Sequence, residues 1–137
     1  MIKVVLDTNI VVSAVLKPGS NPSSILQLCL ADPGFKLITS EALLTEYDEV
    51  LRRPRFHFSR ELVDRLMALI RHQADLVMPD IHLSHLVNHA ADAHILECAV
   101  AGGANLLITG NQKHFIIKRH GSTRILSPAE FVELMLR

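Results

Sequence analysis

Val4-Val5-Leu6-Asp7-Thr8-Asn9-Ile10 runs apolar at successive positions and then stops at a carboxylate followed by two small polar side chains. Apolar residues on both faces suit a strand buried within a parallel sheet. In open α/β sheets, ligands bind in the crevice at the carboxyl ends of the strands. Asp7 stands at such an end, with Thr8 and Asn9 able to hydrogen-bond it and fix its rotamer. A second role suits the same position, because a carboxylate there can also N-cap the helix that follows.

Outward from this strand the pattern alternates. Asn21-Pro22-Ser23-Ser24 starts a helix carrying Ile25, Leu26, Leu28, Cys29 and Leu30, and Asp32-Pro33-Gly34 ends it. Phe35 to Thr39 reads as a short strand. Ser40 caps a helix that runs to about Leu51 and is stopped by Pro54. A further helix from about Ser59 to His72 carries Leu62, Val63, Leu66, Met67, Leu69 and Ile70 as its apolar stripe. Asp75 to Met78 has strand character. The chain is helical again from about Ala90 to Ala101, with Gly102-Gly103 as its C-cap. Asn105 to Thr109 is a buried strand ending at Gly110-Asn111, Thr123 to Leu126 a last short strand, and Ser127-Pro128 opens a closing helix over Ala129 to Leu136. Strands alternating with helices predict a three-layer α/β/α sandwich around a central parallel sheet of four to five strands, a single domain over residues 1–137.

The 137 residues suffice for one domain with one core. Hydrophobic residues make up 49% and charged residues 20%, which excludes a disordered chain. No uninterrupted apolar run approaches a membrane span, and Met1-Ile2-Lys3 passes straight into a strand, so no membrane association and a cytoplasmic location are expected. Cys29 and Cys98 lie in apolar helical contexts and read as reduced core residues. The formal net charge is zero, so no global basic field draws nucleic acid, and any polyanion must be held by a local patch or a bound metal.

Asp7 ends the first strand, Glu46 lies in the helix after the second, and Asp92 opens the helix before the strand that ends at Thr109-Gly110-Asn111. Gathering such acids at one sheet edge is electrostatically costly unless a divalent cation neutralises them. Mg²⁺ and Mn²⁺ take oxygen ligands, a few from protein and the rest from water and phosphate. Each residue also has an ordinary role: Glu46 as a solvated helix charge like Glu41, Asp48 and Glu49, Asp92 as a first-turn acid, and Asn111 as a turn residue. Glu97, roughly 140° around the helix from Asp92, does not share its face.

Leu6-Asp7-Thr8-Asn9, Leu44-Thr45-Glu46-Tyr47 with Glu49 to Phe56 after it, Asp92 to Ala99, and Leu107-Ile108-Thr109-Gly110-Asn111 together resemble the PIN-domain family. The branch most similar holds toxins of bacterial and archaeal toxin–antitoxin pairs, related to the VapC ribonucleases. The resemblance covers essentially the whole chain and implies an Mg²⁺- or Mn²⁺-dependent endoribonuclease acting on single-stranded RNA. It assigns catalysis and metal binding to Asp7, Glu46, Asp92 and Asn111, with Thr8, Asn9 and Thr109 supporting them. The family's fourth acid usually stands where Asn111 is, and His89 and Ala91 hold positions that are often acidic in relatives. Relatives also imply a cognate antitoxin partner and a homodimer. The implied chemistry is hydrolysis, with Glu46 the carboxylate best suited to orient or deprotonate the attacking water.

Arg52, Arg53 and Arg55 follow the helix that carries Glu46, and Lys113 follows Asn111, a gathering that suits a phosphate backbone near the site rim. His82, His85 and His89 follow helical spacing, but without a paired Cys or carboxylate they read as solvated or half-buried histidines rather than a zinc site. Asp7-Thr8-Asn9 is one residue from the signature of haloacid-dehalogenase-like phosphatases, yet Asn9 cannot transfer the proton that their second Asp does. The other alternative is a catalytically weak or inactive PIN module that binds RNA or a partner protein.

Overall fold

The computed structural model describes residues 1–136; Arg137, the last residue of the expected domain, lies outside the described residues. The opening apolar run forms β1 (Ile2–Leu6), in which Val4, Val5 and Leu6 expose no surface. After it come α1 (Thr8–Leu16), α2 (Asn21–Ala31), β2 (Phe35–Thr39), α3 (Glu41–Leu51) and α4 (Arg60–Gln73). β3 (Asp75–Leu76), α5 (Ala93–Ala101), β4 (Leu106–Ile108), β5 (Arg119–His120), β6 (Thr123–Leu126) and α6 (Pro128–Met135) complete the order. Ser20, Ser40, Ser59 and Ser127 each accept a backbone N–H at the start of a helix, and at Ser127 Glu130 reciprocates in a capping box.

The six strands lie in the order β3-β2-β1-β4-β6-β5. All pairings are parallel except that of β5 with β6. The chain leaves β1 for β2 on one side and returns to β4 on the other, so the strand order reverses between β1 and β4. A ligand crevice belongs at that switch point, outside the carboxyl ends of the strands. In register Leu6 pairs with Ile108, so β1 and β4 end level. Helices flank the sheet, with α5 against β1, β2 and β4. Cys29 and Cys98 are buried and free.

The sheet exceeds the expected four to five strands by β5, an antiparallel edge strand of two residues, while the strand character expected over Asp75 to Met78 is realised at Asp75–Leu76. Two residues make too short a run for alternation to register, and Arg119-His120 reads as part of a basic loop. The helix expected from Ala90 begins as a 3₁₀ turn over Ala90–Asp92 and becomes α-helical at Ala93. On α4 only Val63 and Ile70 are fully inward, while Leu62 and Leu69 remain 42% and 43% exposed. The stripe is wider than the surface that α2, α3 and β2 offer it.

Gly102 and Gly103 do different work at the end of α5. Gly103 adopts φ +63°, which suits a residue without Cβ. Gly102 has ordinary dihedrals, but a Cβ there would stand 2.5 Å from Ile38 Cγ2 on β2. Gly102→Ala is expected to cost about 1–3 kcal/mol by overpacking. Chemical denaturation measures it, and an unchanged midpoint would mean that Ile38 yields freely.

Candidate active site

Asp7 is 6% exposed and occupies the N-cap position of α1, yet its side chain caps nothing. Thr109, the residue after β4, instead donates its hydroxyl to Asp7 Oδ2 at 2.7 Å. The level strand ends bring this about, since Asp7 N–H donates to the Ile108 carbonyl in continuation of the ladder. Thr109 Oγ1 in turn accepts the N–H of Asn111 at 3.0 Å. Asn111 is thereby tied to Asp7 through one hydroxyl.

Thr8 serves Asp7 through its backbone N–H, whereas the side chains of Thr8 and Asn9 turn to other partners. Both belong to the first turn of α1, where successive side chains diverge by about 100°. The Asn9 amide oxygen accepts the N–H of Gly110 at 2.9 Å and pins the loop after β4. The Thr8 hydroxyl donates to Glu46 Oε2. On α3, fully buried Tyr47 donates its hydroxyl to the Leu6 carbonyl, fastening this helix to the end of β1 and setting Glu46 beside the site.

Glu46 Oε1 lies 3.0 Å from His94 Nε2 on α5. Asp92, at the end of the 3₁₀ turn before α5, has Oδ2 3.3 Å from His114 Nδ1. His114 belongs to the turn after Asn111, and the ring of His89 stands edge-on to it with centroids 5.0 Å apart. Glu97 lies apart from this group and accepts the Leu83 N–H at 2.8 Å, anchoring the loop before α5.

Burial raises the Asp7 pKa, Thr109 opposes that shift, and the charges of Asp92 and Glu46 raise it further. Glu46 is lowered chiefly by the His94 hydrogen bond, with help from Thr8 and the charge of Arg53. His94 is raised by Glu46, although its buried Nδ1 finds no hydrogen-bond partner for the second N–H of an imidazolium. Asp92 and Glu46 are therefore each close enough for their charges to act on Asp7. As hard oxygen donors whose repulsion a cation would relieve, the three fit Mg²⁺ or Mn²⁺ with water completing the coordination. Among the described residues no three His, Cys, Asp or Glu side chains form a ready-made metal cage. His82, His85 and His89 form no such cage either. They lie in an irregular segment whose only regular element is a 3₁₀ turn over Ser84–Leu86, so their helical spacing is not realised.

Of the basic residues, Arg52 is already engaged by Asp48 and Asp64 at 2.9 and 2.7 Å. Arg55 lies over the Phe56 ring, 4.8 Å from its centroid. Arg53 and Lys113 are exposed. Tyr47, His94 and His114 hold the site together without being evident as site residues in the sequence.

Four short segments thus converge on one sheet edge in a fixed topology. A sequence model of the PIN domain matches residues 3–113. The chain belongs to the PIN-domain family. The matched span includes Asp7, Glu46, Asp92 and Asn111. This PIN domain shares its fold with VapBC2 from Rickettsia felis, solved bound to a DNA fragment from its promoter. The TM-score is 0.63 at 19% identity, over 92% of this chain and 98% of that one. It is also similar to VapBC-1 from nontypeable Haemophilus influenzae, with TM-score 0.55, 20% identity, and 82% and 90% of the two chains covered. No curated protein sequence matches it. No helix among the described residues is long and apolar enough to cross a membrane.

Proposed function

We propose that this PIN domain is an Mg²⁺- or Mn²⁺-dependent endoribonuclease that hydrolyses phosphodiester bonds of single-stranded RNA, as the toxin of a toxin–antitoxin pair. The observation that carries the reading is the meeting of Asp7, Glu46 and Asp92 at the β1/β4 switch point, where the last two charges act on a buried Asp7. Asp7 and Asp92, with Asn111 beside them, would hold the cation. A divalent cation supplies positive charge to the scissile phosphate and lowers the pKa of the attacking water. Thr109 fixes the Asp7 rotamer. Glu46, held from two sides, orients the water. Exposed Arg53 and Lys113 suit the RNA backbone, whereas the charge of Arg52 is met within the protein.

The VapBC likeness supports a cognate antitoxin as partner, and exposed Leu62 and Leu69 on α4 offer apolar surface to such a partner or to a second copy in a homodimer. A cytoplasmic location follows from an RNA substrate. The catalytically weak module is the second reading, favoured by the missing charge at Asn111.

Metal binding is expected to stabilise the fold, because only the native chain gathers these ligands. Stabilisation should grow as RT ln(1 + [M²⁺]/Kd), about 2.7 kcal/mol at a hundred times Kd. Thermal unfolding in EDTA, Mg²⁺ and Mn²⁺, with cleavage of a panel of structured and unstructured RNAs, tests the proposal. A melting temperature indifferent to millimolar metal, with no cleavage, would select the inactive module.

A further inference from the structure

Two of the acids are paired with histidines, and the pairing is unequal. Both oxygens of Glu46 are taken by side chains from different helices, Oε1 by His94 on α5 and Oε2 by Thr8 on α1. Thr109 donates to one oxygen of Asp7, and His114 Nδ1 stands 3.3 Å from one oxygen of Asp92, a looser contact than those on Glu46. A carboxylate tied at both oxygens has fewer free lone pairs for a cation and is fixed in the direction from which it accepts a hydrogen bond from water. A carboxylate held at one oxygen is oriented and still presents the other. Resting on the nuclease reading, we propose that His94 and His114 are positioning residues with separate tasks: His114 orients Asp92 as a metal ligand, and His94 reserves Glu46 for the attacking water.

The clamp on Glu46 is specific. Among the described residues the buried Nδ1 of His94 has no hydrogen-bond partner, and the contact to Glu46 is the ring's one hydrogen bond. Nε2–H can donate in the neutral tautomer and in the imidazolium alike, so the geometry does not depend on the charge of the ring. His114 is fixed by its backbone as well as by its ring. Its N–H donates to the Asn111 carbonyl at 3.0 Å, its own carbonyl accepts the Asn88 N–H at 2.8 Å, and His89 packs edge-on against the imidazole. Asp92 is thus steered from the same turn that carries Asn111. Outer partners of this kind commonly change metal affinity or activity by about 10–100-fold when removed.

The experiment pairs isothermal titration with Mn²⁺ and steady-state cleavage of a single-stranded oligoribonucleotide, for the full chain and four variants. His114→Ala should weaken Mn²⁺ binding about tenfold, and His114→Asn, which keeps a donor near the place of Nδ1, should recover most of it. His94→Ala should leave Mn²⁺ affinity within about twofold while lowering kcat about tenfold or more at unchanged KM. His94→Gln, with its donor near the place of Nε2, should restore kcat, and it keeps the test open if the alanine variant unfolds. If both alanine variants lose Mn²⁺ affinity equally, or the Gln and Asn variants rescue nothing, the division of labour is wrong. If the wild-type chain neither binds Mn²⁺ nor cleaves, the nuclease reading falls and takes this inference with it.

Discussion

Asp7→Asn is expected to reduce RNA cleavage by about 10²-fold or more while raising the stability of the metal-free protein. The two effects share one cause. Asp7 is buried at the end of β1, and its ionised form is disfavoured by burial and by the charges of Asp92 and Glu46. Asparagine keeps the shape and an oxygen able to accept the Thr109 hydroxyl, but it removes the charge that a cation needs.

The sign of the pH dependence follows. Well below the ordinary carboxyl pKa of 3.8, Asp7 is neutral in both folded and unfolded chains, and the substitution is silent. As the pH rises past that value the unfolded chain ionises first and the folded protein lags. Ionisation therefore destabilises the native state until the raised folded pKa is passed. The gain from Asp7→Asn should be absent at the acid end and grow as the pH rises past 3.8 until the raised folded pKa is passed, read by thermal unfolding in EDTA. Saturating Mn²⁺ should reverse the order, stabilising only the wild type. Wild-type cleavage by the variant would remove Asp7 from the chemistry.

What the sequence makes legible here is set by distance along the chain. β1 is legible because two buried faces demand an unbroken apolar run, and Asp7 because a carboxylate ends it. α3 and its Ser40 cap are legible because a cap and its N–H lie three residues apart. The partners of the acids are another matter. Thr8 reaches Glu46 across 38 residues and His94 reaches it across 48, separations that only the parallel sheet brings together. Reading the side chains of Thr8 and Asn9 as partners of Asp7 assumes that neighbours in sequence face one another, which the first turn of a helix prevents. The histidines fail as a helical cluster, since His82 lies in an irregular loop and His85 in a single 3₁₀ turn, while His94 and His114 find their places through tertiary contacts. The edge strand β5, with two residues, carries too few side chains to announce itself.

Asn111→Asp should tighten Mn²⁺ binding about tenfold or more and destabilise the metal-free protein. Asn111 follows β4 by way of Gly110, and its N–H is joined through the Thr109 hydroxyl to Asp7. A carboxylate there adds a fourth negative charge to an edge where Asp92 and Glu46 already raise the Asp7 pKa. At about 4 Å and an effective dielectric near 20, one more unit charge interacts with each neighbour by up to about 4 kcal/mol before screening, so a tenfold change in affinity is a modest demand. The same charge repels when the cation is absent and attracts when it is present, so the variant should melt lower in EDTA yet gain more from metal. Its cleavage rate should rise at low Mn²⁺ and converge with that of the wild type at saturation, because the added charge gathers the ion without altering Glu46. Calorimetric titration of both forms decides the matter. Equal affinities would place Asn111 outside the coordination sphere and leave the site to Asp7, Glu46 and Asp92, with the turn at Asn111 serving to carry His114 to Asp92.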